Sequence, residues 1–203
     1  MGPGLTIRSR PITVDPELRK ENIRRYRRER YGEAAPDYRI DPRIVVVHWT
    51  AGPSAASAQE TFRGEILKGR ADIAGAGDLN TGAHFLVDKD GSIAQLLPVD
   101  WMARHTIGLN HAAIGIENVG GVDDKDDLTE AQLRGDAALI RELKRRWPKL
   151  EFMIGHYEYR RFEGHPLWKE RDGGYRTEKS DPGERFMREL RAALSDLGLK
   201  GAP

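Results

Sequence analysis

Six histidines and no cysteine set the chemistry open to this 203-residue chain. Without thiols there are no disulfide staples, thiolate nucleophiles, iron–sulfur clusters or Cys-type zinc sites, so any metal centre must use imidazole and carboxylate. His48 closes the apolar run Ile44-Val-Val-Val-His-Trp49, and His156 follows Met153-Ile-Gly155. α/β sheets carry their sites at the C-terminal ends of strands, and two histidines delivered that way can converge on one ion. A catalytic zinc needs three protein ligands plus a water. Asp181, ahead of Pro182 and Gly183, is the carboxylate that the local sequence best supports as the third. The same residues, with Glu184 following, also suit an ordinary helix N-cap, and one carboxylate can do both. Glu117 lies in the apolar segment Ala113-Ile-Gly-Ile-Glu-Asn-Val119, where a carboxylate either pairs with an arginine or works as a base. Lys179 reads as one more surface lysine of Arg176-Thr-Glu-Lys179 or as a fixed cation beside Asp181. His84 either orients a ligand, lines a groove or fills a structural role; His165 reads as a surface residue.

The elements that must position these groups are legible in outline. Ile44 to Trp49 is a continuous β-branched run that suits a strand buried on both faces. Ala83 to Asp88 and Ser92 to Leu97 flank an Asp-Gly turn and predict a hairpin. Ala113 to Val119 and Glu151 to Gly155 predict further strands. Asp15 and Pro16 open a helix to Tyr31. Ser57 with Glu60 predicts a capping box before a helix carrying Phe62, Ile66 and Leu67. Thr129 with Gln132 caps a helix ending before Pro148, and a last helix starts near Pro182 and buries Phe186, Leu190, Ala193 and Leu197. Strands alternating with helices give an α/β single domain with a central mixed β-sheet flanked by helices.

Together, Ile44-Val-Val-Val-His-Trp-Thr-Ala-Gly52, Gly82-Ala-His-Phe-Leu-Val-Asp-Lys-Asp-Gly91, Ile114-Gly-Ile-Glu-Asn-Val-Gly120, Ile154-Gly-His156 and Lys179-Ser-Asp-Pro-Gly183 resemble the type 2 N-acetylmuramoyl-L-alanine amidases. That family includes phage lysozyme-type amidases and peptidoglycan recognition proteins. The resemblance runs over about residues 40 to 197 and implies a zinc hydrolase that cleaves the N-acetylmuramoyl-L-alanine bond of peptidoglycan or muropeptides. It implies His48, His156 and Asp181 as Zn2+ ligands, Glu117 as the carboxylate that activates water, and Lys179 as the oxyanion-stabilising cation. Other branches of the family use a tyrosine where this chain has Ala83, so the catalytic set is complete only with Glu117 as base. Some relatives complete the metal site with a thiolate, which this chain cannot do. The alternative is a non-catalytic peptidoglycan-binding domain, although such proteins commonly break the zinc set.

The resemblance also places His105, Asn110 and His111 in a substrate-facing loop, and His105, Asn110 and His84 are taken as substrate contacts. The stretch from Tyr157 to Thr177 is longer than in compact relatives and carries Tyr157, Tyr159, Phe162, Trp168 and Tyr175 among arginines. It is expected to form a lid or groove wall touching glycan or peptide, with Trp168 as a contact; the alternative is that it packs against the N-terminal helix. Residues 1–40 are read as an N-terminal extension with a basic helix, and residues 41–200 as the catalytic domain with an insertion at about 157–177.

Lys and Arg total 33 against 32 Asp and Glu, a formal charge of +1. No overall field draws the chain to nucleic acid. The basic helix reads as a solvated one packing an edge of Leu18, Ile23 and Tyr26, in preference to a surface for an anionic polymer. No apolar run approaches the roughly 20 residues of a transmembrane helix, and Met1 to Arg10 lack a secretory apolar stretch. The opening Met-Gly-Pro-Gly reads as much like a cloning remnant as a native start. The expectation is a monomer in the cell envelope, periplasmic or secreted, with a cytoplasmic location as the alternative.

Overall fold

The β-branched run at Ile44–Trp49 forms the central strand β2 of a sheet in the computed structural model, which describes residues 5–203; the opening tetrapeptide lies outside the described residues. In chain order the other elements are β1 (Ile7–Ser9), α1 (Pro16–Tyr31), α2 (Ala55–Phe62), α3 (Ala71–Ala74), β3 (Phe85–Val87), β4 (Ile93–Gln95), β5 (Ala113–Asn118), α4 (Glu130–Arg146), β6 (Phe152–Gly155) and α5 (Glu184–Ala193). The strand order is β1-β4-β3-β5-β2-β6. Every pairing is parallel except the β3–β4 hairpin, so the sheet is mixed, as the Asp-Gly turn predicts. Gly91 takes φ 82° at that turn, and Ala131 of α4 lies so close that a side chain would not fit.

Both faces of β2 are buried, which is why its apolar residues do not alternate with polar ones. Val45 and Val47, with Ile114 and Ile116 of β5, face Leu139, Ile140 and Leu143 of α4 and Phe186 and Leu190 of α5. Ile44 and Val46 face the other way, against Ile107 and Phe162. Burial of each such side chain contributes about 1.5–3 kcal/mol, and it fixes the strand ends that carry the polar groups.

Local signals decide the helix limits. The Asp15 carboxylate accepts from the N–H groups of Glu17 and Leu18, and Gly32 closes α1 at φ 68°. Thr129 and Gln132 form the expected reciprocal capping box of α4. The helix expected to carry Ile66 and Leu67 is shorter than that. Ser54, not Ser57, is its cap, and extended backbone at Arg63 followed by Gly64 at φ 87° ends it after Phe62. Leu197 likewise lies beyond α5, in a short 3-10 turn. β1 has no counterpart in the sequence reading: it is a three-residue, partly exposed strand whose pairing with β4 supplies the edge of the sheet.

The basic helix α1 is neutralised by the fold. Arg19 is fully buried and bonds Glu65 at 2.8 Å; Arg25 meets Asp78, Arg27 meets Glu33, and Arg30 meets Glu170. The Arg30 contact ties α1 to the segment 157–177, as do the Lys169–Glu33 pair and the Arg171 N–H bonded to the Arg30 carbonyl. That segment therefore packs against the N-terminal helix.

Behind β2, Asn118 donates to the Asp136 carboxylate at 2.9 Å, and both residues are fully buried. Burial pushes the Asp136 carboxyl up to about 7. Because its native pKa lies above the value near 3.8 of a free carboxyl, the folded state holds a proton that the unfolded chain has released. Its contribution to stability is present at low pH and lost as pH rises from about 4 to about 7. Asp136→Asn is expected to flatten that decline, which is on the order of 4 kcal/mol, and to raise stability at pH 8. Urea unfolding at pH 5 and pH 8 tests this; equal pH dependence in both proteins would refute it.

Candidate active site

The C-terminal ends of β2, β5 and β6 open into one cleft of about 660 Å³. In the parallel register His48 lies directly beside Glu117, so both side chains project from the same face. His156 follows the last residue of β6. Asp181 is brought in by the segment before α5, where its carbonyl accepts from the Tyr157 N–H at 3.1 Å. The alternative reading of Asp181 as an N-cap is not what the fold uses. α5 starts after Gly183 without a side-chain cap of its own, and the Asp126 carboxylate accepts from the Arg185 N–H instead. The Asp181 carboxylate is left to face the histidines.

His48 Nδ1 lies 3.0 Å from His156 Nδ1, and each lies 3.1 Å from Asp181 Oδ2. These three residues are the metal-competent group among the described residues, and all are buried. The protonation of His48 and Asp181 suits ligation. Burial and the neighbouring His156 push His48 down to about 4. Burial pushes the Asp181 carboxyl up, but His156 and His48 outweigh it and hold the group well below the usual carboxylate range. An ionised carboxylate and a neutral imidazole are the forms that bind a cation. His48, His156 and Asp181 would hold a cation between them, and two imidazoles with a carboxylate are a donor set that suits zinc.

His105 fixes the ring of His48. His48 Nε2 lies 3.0 Å from His105 Nδ1, and His105 Nε2 lies 3.3 Å from the Ala113 carbonyl. One assignment satisfies the chain: His105 Nε2–H donates to the carbonyl, His48 Nε2–H donates to His105 Nδ1, and His48 Nδ1 is left with a lone pair toward the other ligands. Gly115 is required beneath this chain, since a Cβ there would sit 2.9 Å from the His105 ring.

Glu117 is 8% exposed and its Oε2 has no hydrogen-bond partner among the described residues. No arginine or lysine pairs with it among the described residues, which removes the reading of Glu117 as half of an ion pair. Burial and then the Asp181 charge push its carboxyl well above the usual range, with Lys179 and Arg70 opposing. Lys179 lines the same cleft, half-buried, and has no carboxylate within ion-pair distance among the described residues.

The expected substrate contacts divide. His105 and Asn110 line the cleft, but both ring nitrogens of His105 are engaged as described, and Asn110 Oδ1 is held by the N–H groups of His105 and Thr106. His84 has no exposed surface; it accepts from the Gly115 N–H and pairs with the Trp101 carbonyl, so it joins β5 to the hairpin and offers no atom to a substrate. Trp168 lies outside the cleft, stacked on Tyr159 at 6.1 Å with its indole N–H on the Glu170 carbonyl. The segment 157–177 reaches the cleft through Tyr175 and Thr177 instead, and α1 contributes Tyr26. Tyr26 gave no signal beyond an apolar position on its helix.

Residues 38–184 match the family described as N-acetylmuramoyl-L-alanine amidase. The endolysin of Enterobacteria phage K11 is 30% identical over 84 residues, 39% of this chain and 56% of that protein, so the chain spans about half the length of the curated relatives it matches. The fold is similar to that of the N-acetylmuramoyl-L-alanine amidase LysC from Clostridium intestinale URNW: TM-score 0.53, 22% identity, 82% of this chain and 93% of that one. It is also similar to peptidoglycan recognition protein-LE solved with tracheal cytotoxin, with TM-score 0.51, 19% identity, and coverage of 75% and 81%.

Proposed function

This chain belongs to the N-acetylmuramoyl-L-alanine amidase family, and on that premise we propose that it is a zinc-dependent hydrolase of the bond joining N-acetylmuramic acid to L-alanine in peptidoglycan or its fragments. The observation that carries this reading is the convergence of His48, His156 and Asp181 in one cleft with an unpartnered Glu117. The chemistry that a zinc ion held by those residues supplies is Lewis acidity, which polarises an amide carbonyl and makes water acidic enough to attack near pH 7. The Glu117 carboxylate, whose Oε2 has no partner among the described residues, takes a proton from the attacking water and passes it to the leaving nitrogen of L-alanine. Lys179 Nζ, without a carboxylate partner among the described residues, offsets the charge that develops on the carbonyl oxygen. His105 keeps the His48 ring oriented through both steps.

Treatment with a chelator is expected to abolish the release of L-alanine amino groups from muropeptides, and stoichiometric Zn2+ to restore it. Activity that persists in metal-free protein would overturn the zinc assignment. Muropeptide binding by the zinc-loaded protein without any amino-group release would favour the recognition-domain reading instead.

A further inference from the structure

The sheet face opposite His48 and Glu117 carries a buried polar pair that the proposed chemistry does not use. Asn118 follows Glu117 on β5, so its side chain points the other way, and there it meets Asp136 of α4. Neither residue has any exposed surface. Asn118 Nδ2 donates to Asp136 Oδ2 at 2.9 Å and to the backbone carbonyl of His48 at 3.4 Å. Those two acceptors decide which end of the amide is nitrogen. The Asn118 backbone carbonyl in turn accepts from the Thr50 N–H at 2.9 Å. The residue thus grips β2 on both sides of Trp49, one bond before it and one after.

Two oxygens of this pair are left over. Asn118 Oδ1 and Asp136 Oδ1 are both buried and have no hydrogen-bond partner among the described residues. With Asp136 ionised both are acceptors only, and neither can satisfy the other. A proton on Asp136 Oδ1 resolves both at once: the acid O–H donates to Asn118 Oδ1 while the amide N–H donates to Asp136 Oδ2. The surroundings favour that neutral form. The layer between the sheet and helices α4 and α5 is built from side chains such as Val47, Val87, Ile116 and Phe186. Gln132, one turn before Asp136, is uncharged and donates to the Val87 and Val119 carbonyls. Of the charged groups at its edges, Arg185 on α5 is held by Asp126 and Glu189, and Lys89 after β3 is held by Asp127. Burial raises the Asp136 carboxyl, and the Asn118 bond opposes it.

We propose that Asp136 is a positioning residue: as a neutral acid paired through both oxygens with Asn118, it holds that amide on the His48 carbonyl and so fixes the ends of β2 and β5 from which His48 and Glu117 project. Loss of the proton sets Asp136 Oδ1 and Asn118 Oδ1 against each other as two acceptors. The amide then has to turn, and its longer bond, the one to the His48 carbonyl, is given up first. Since the carboxyl is raised to about 7, the hold is complete below that pH and lost as pH rises through it. The proposal rests on the amidase reading only for the activity that these strand ends serve.

Asp136→Asn tests this, because its amide nitrogen donates to Asn118 Oδ1 at every pH and never ionises. In NMR titrations of chelator-treated protein, the Asn118 side-chain amide, the His48 carbonyl carbon and the Thr50 amide of wild type are expected to shift together with one midpoint near that of the Asp136 carboxyl carbon. In Asp136→Asn that common transition should be missing, and any shift from the histidines should remain in both proteins. On a muropeptide substrate, the ratio of kcat at pH 8.5 to kcat at pH 6.5 should be lower in wild type than in the variant by about fivefold or more, with KM within twofold. The resonance measurement does not need amide cleavage, so an inactive wild type counts against the proposed function alone. Asp136 titrating without movement at His48 and Thr50, or pH profiles of kcat that coincide in the two proteins, would overturn the positioning role.

Discussion

Glu117→Gln is expected to lower kcat for amide cleavage by about 10²–10⁴-fold, the usual worth of a positioned general base, with zinc content unaltered. The substitution is nearly isosteric and leaves His48, His156 and Asp181 in place. What it removes is the buried cleft carboxyl beside His48: Oε2 has no partner among the described residues, and burial with the Asp181 charge already holds the proton more tightly than in an ordinary carboxyl. The same features predict an opposite effect on stability. A carboxylate without a partner in a buried strand destabilises the native state when ionised, and a neutral amide does not carry that cost. The variant should therefore unfold at the same temperature as wild type or higher while turning over far more slowly. Steady-state kinetics, metal analysis and a thermal melt at pH 8 read the three quantities together. Wild-type turnover with zinc bound would assign the proton transfer to another group.

How far the sequence reaches depends on whether a residue's partner is local. The capping box of α4 closes within Thr129 and Gln132, and the β-branched run of β2 signals burial without reference to anything else, so both are legible. His48 and His156 are legible because a strand end dictates where its last side chain points. Asp181 is ambiguous by itself, since a cap and a ligand look alike before a proline. Asp126, far away in sequence, takes over at the start of α5 and so decides it. The roles of His105 and His84 depend on which atoms meet each ring nitrogen, and those come from β2, β5 and the Trp101 carbonyl. Nothing in the loop around His105 distinguishes a ring that holds His48 from one that holds a substrate. The basic character of α1 misleads for the same reason: its arginines look exposed along the helix, yet Arg19, Arg25 and Arg30 find carboxylates on other segments.

Lys179→Ala is expected to lower kcat by about 10²–10³-fold, the loss seen when an oxyanion-stabilising donor is removed, and to shift the pH profile as well. Lys179 lines the cleft without an ion-pair partner among the described residues, so its charge is available to the reacting carbonyl and also to Glu117. Burial and the Asp181 charge raise the Glu117 pKa, while Lys179 and Arg70 oppose them. Taking away one of the two opposing cations leaves the carboxylate form less favoured, and the pKa of Glu117 moves up. Since the base must be ionised to accept a proton, the acid limb of kcat/KM should move to higher pH in Lys179→Ala, and Lys179→Arg should restore its position by keeping the charge. Glu117→Gln removes that limb altogether, which separates the two variants even where their losses at pH 7 are similar. A pH profile of Lys179→Ala that overlays wild type, with kcat unaltered, would return Lys179 to the status of a solvated lysine in the Arg176-Thr-Glu-Lys179 segment.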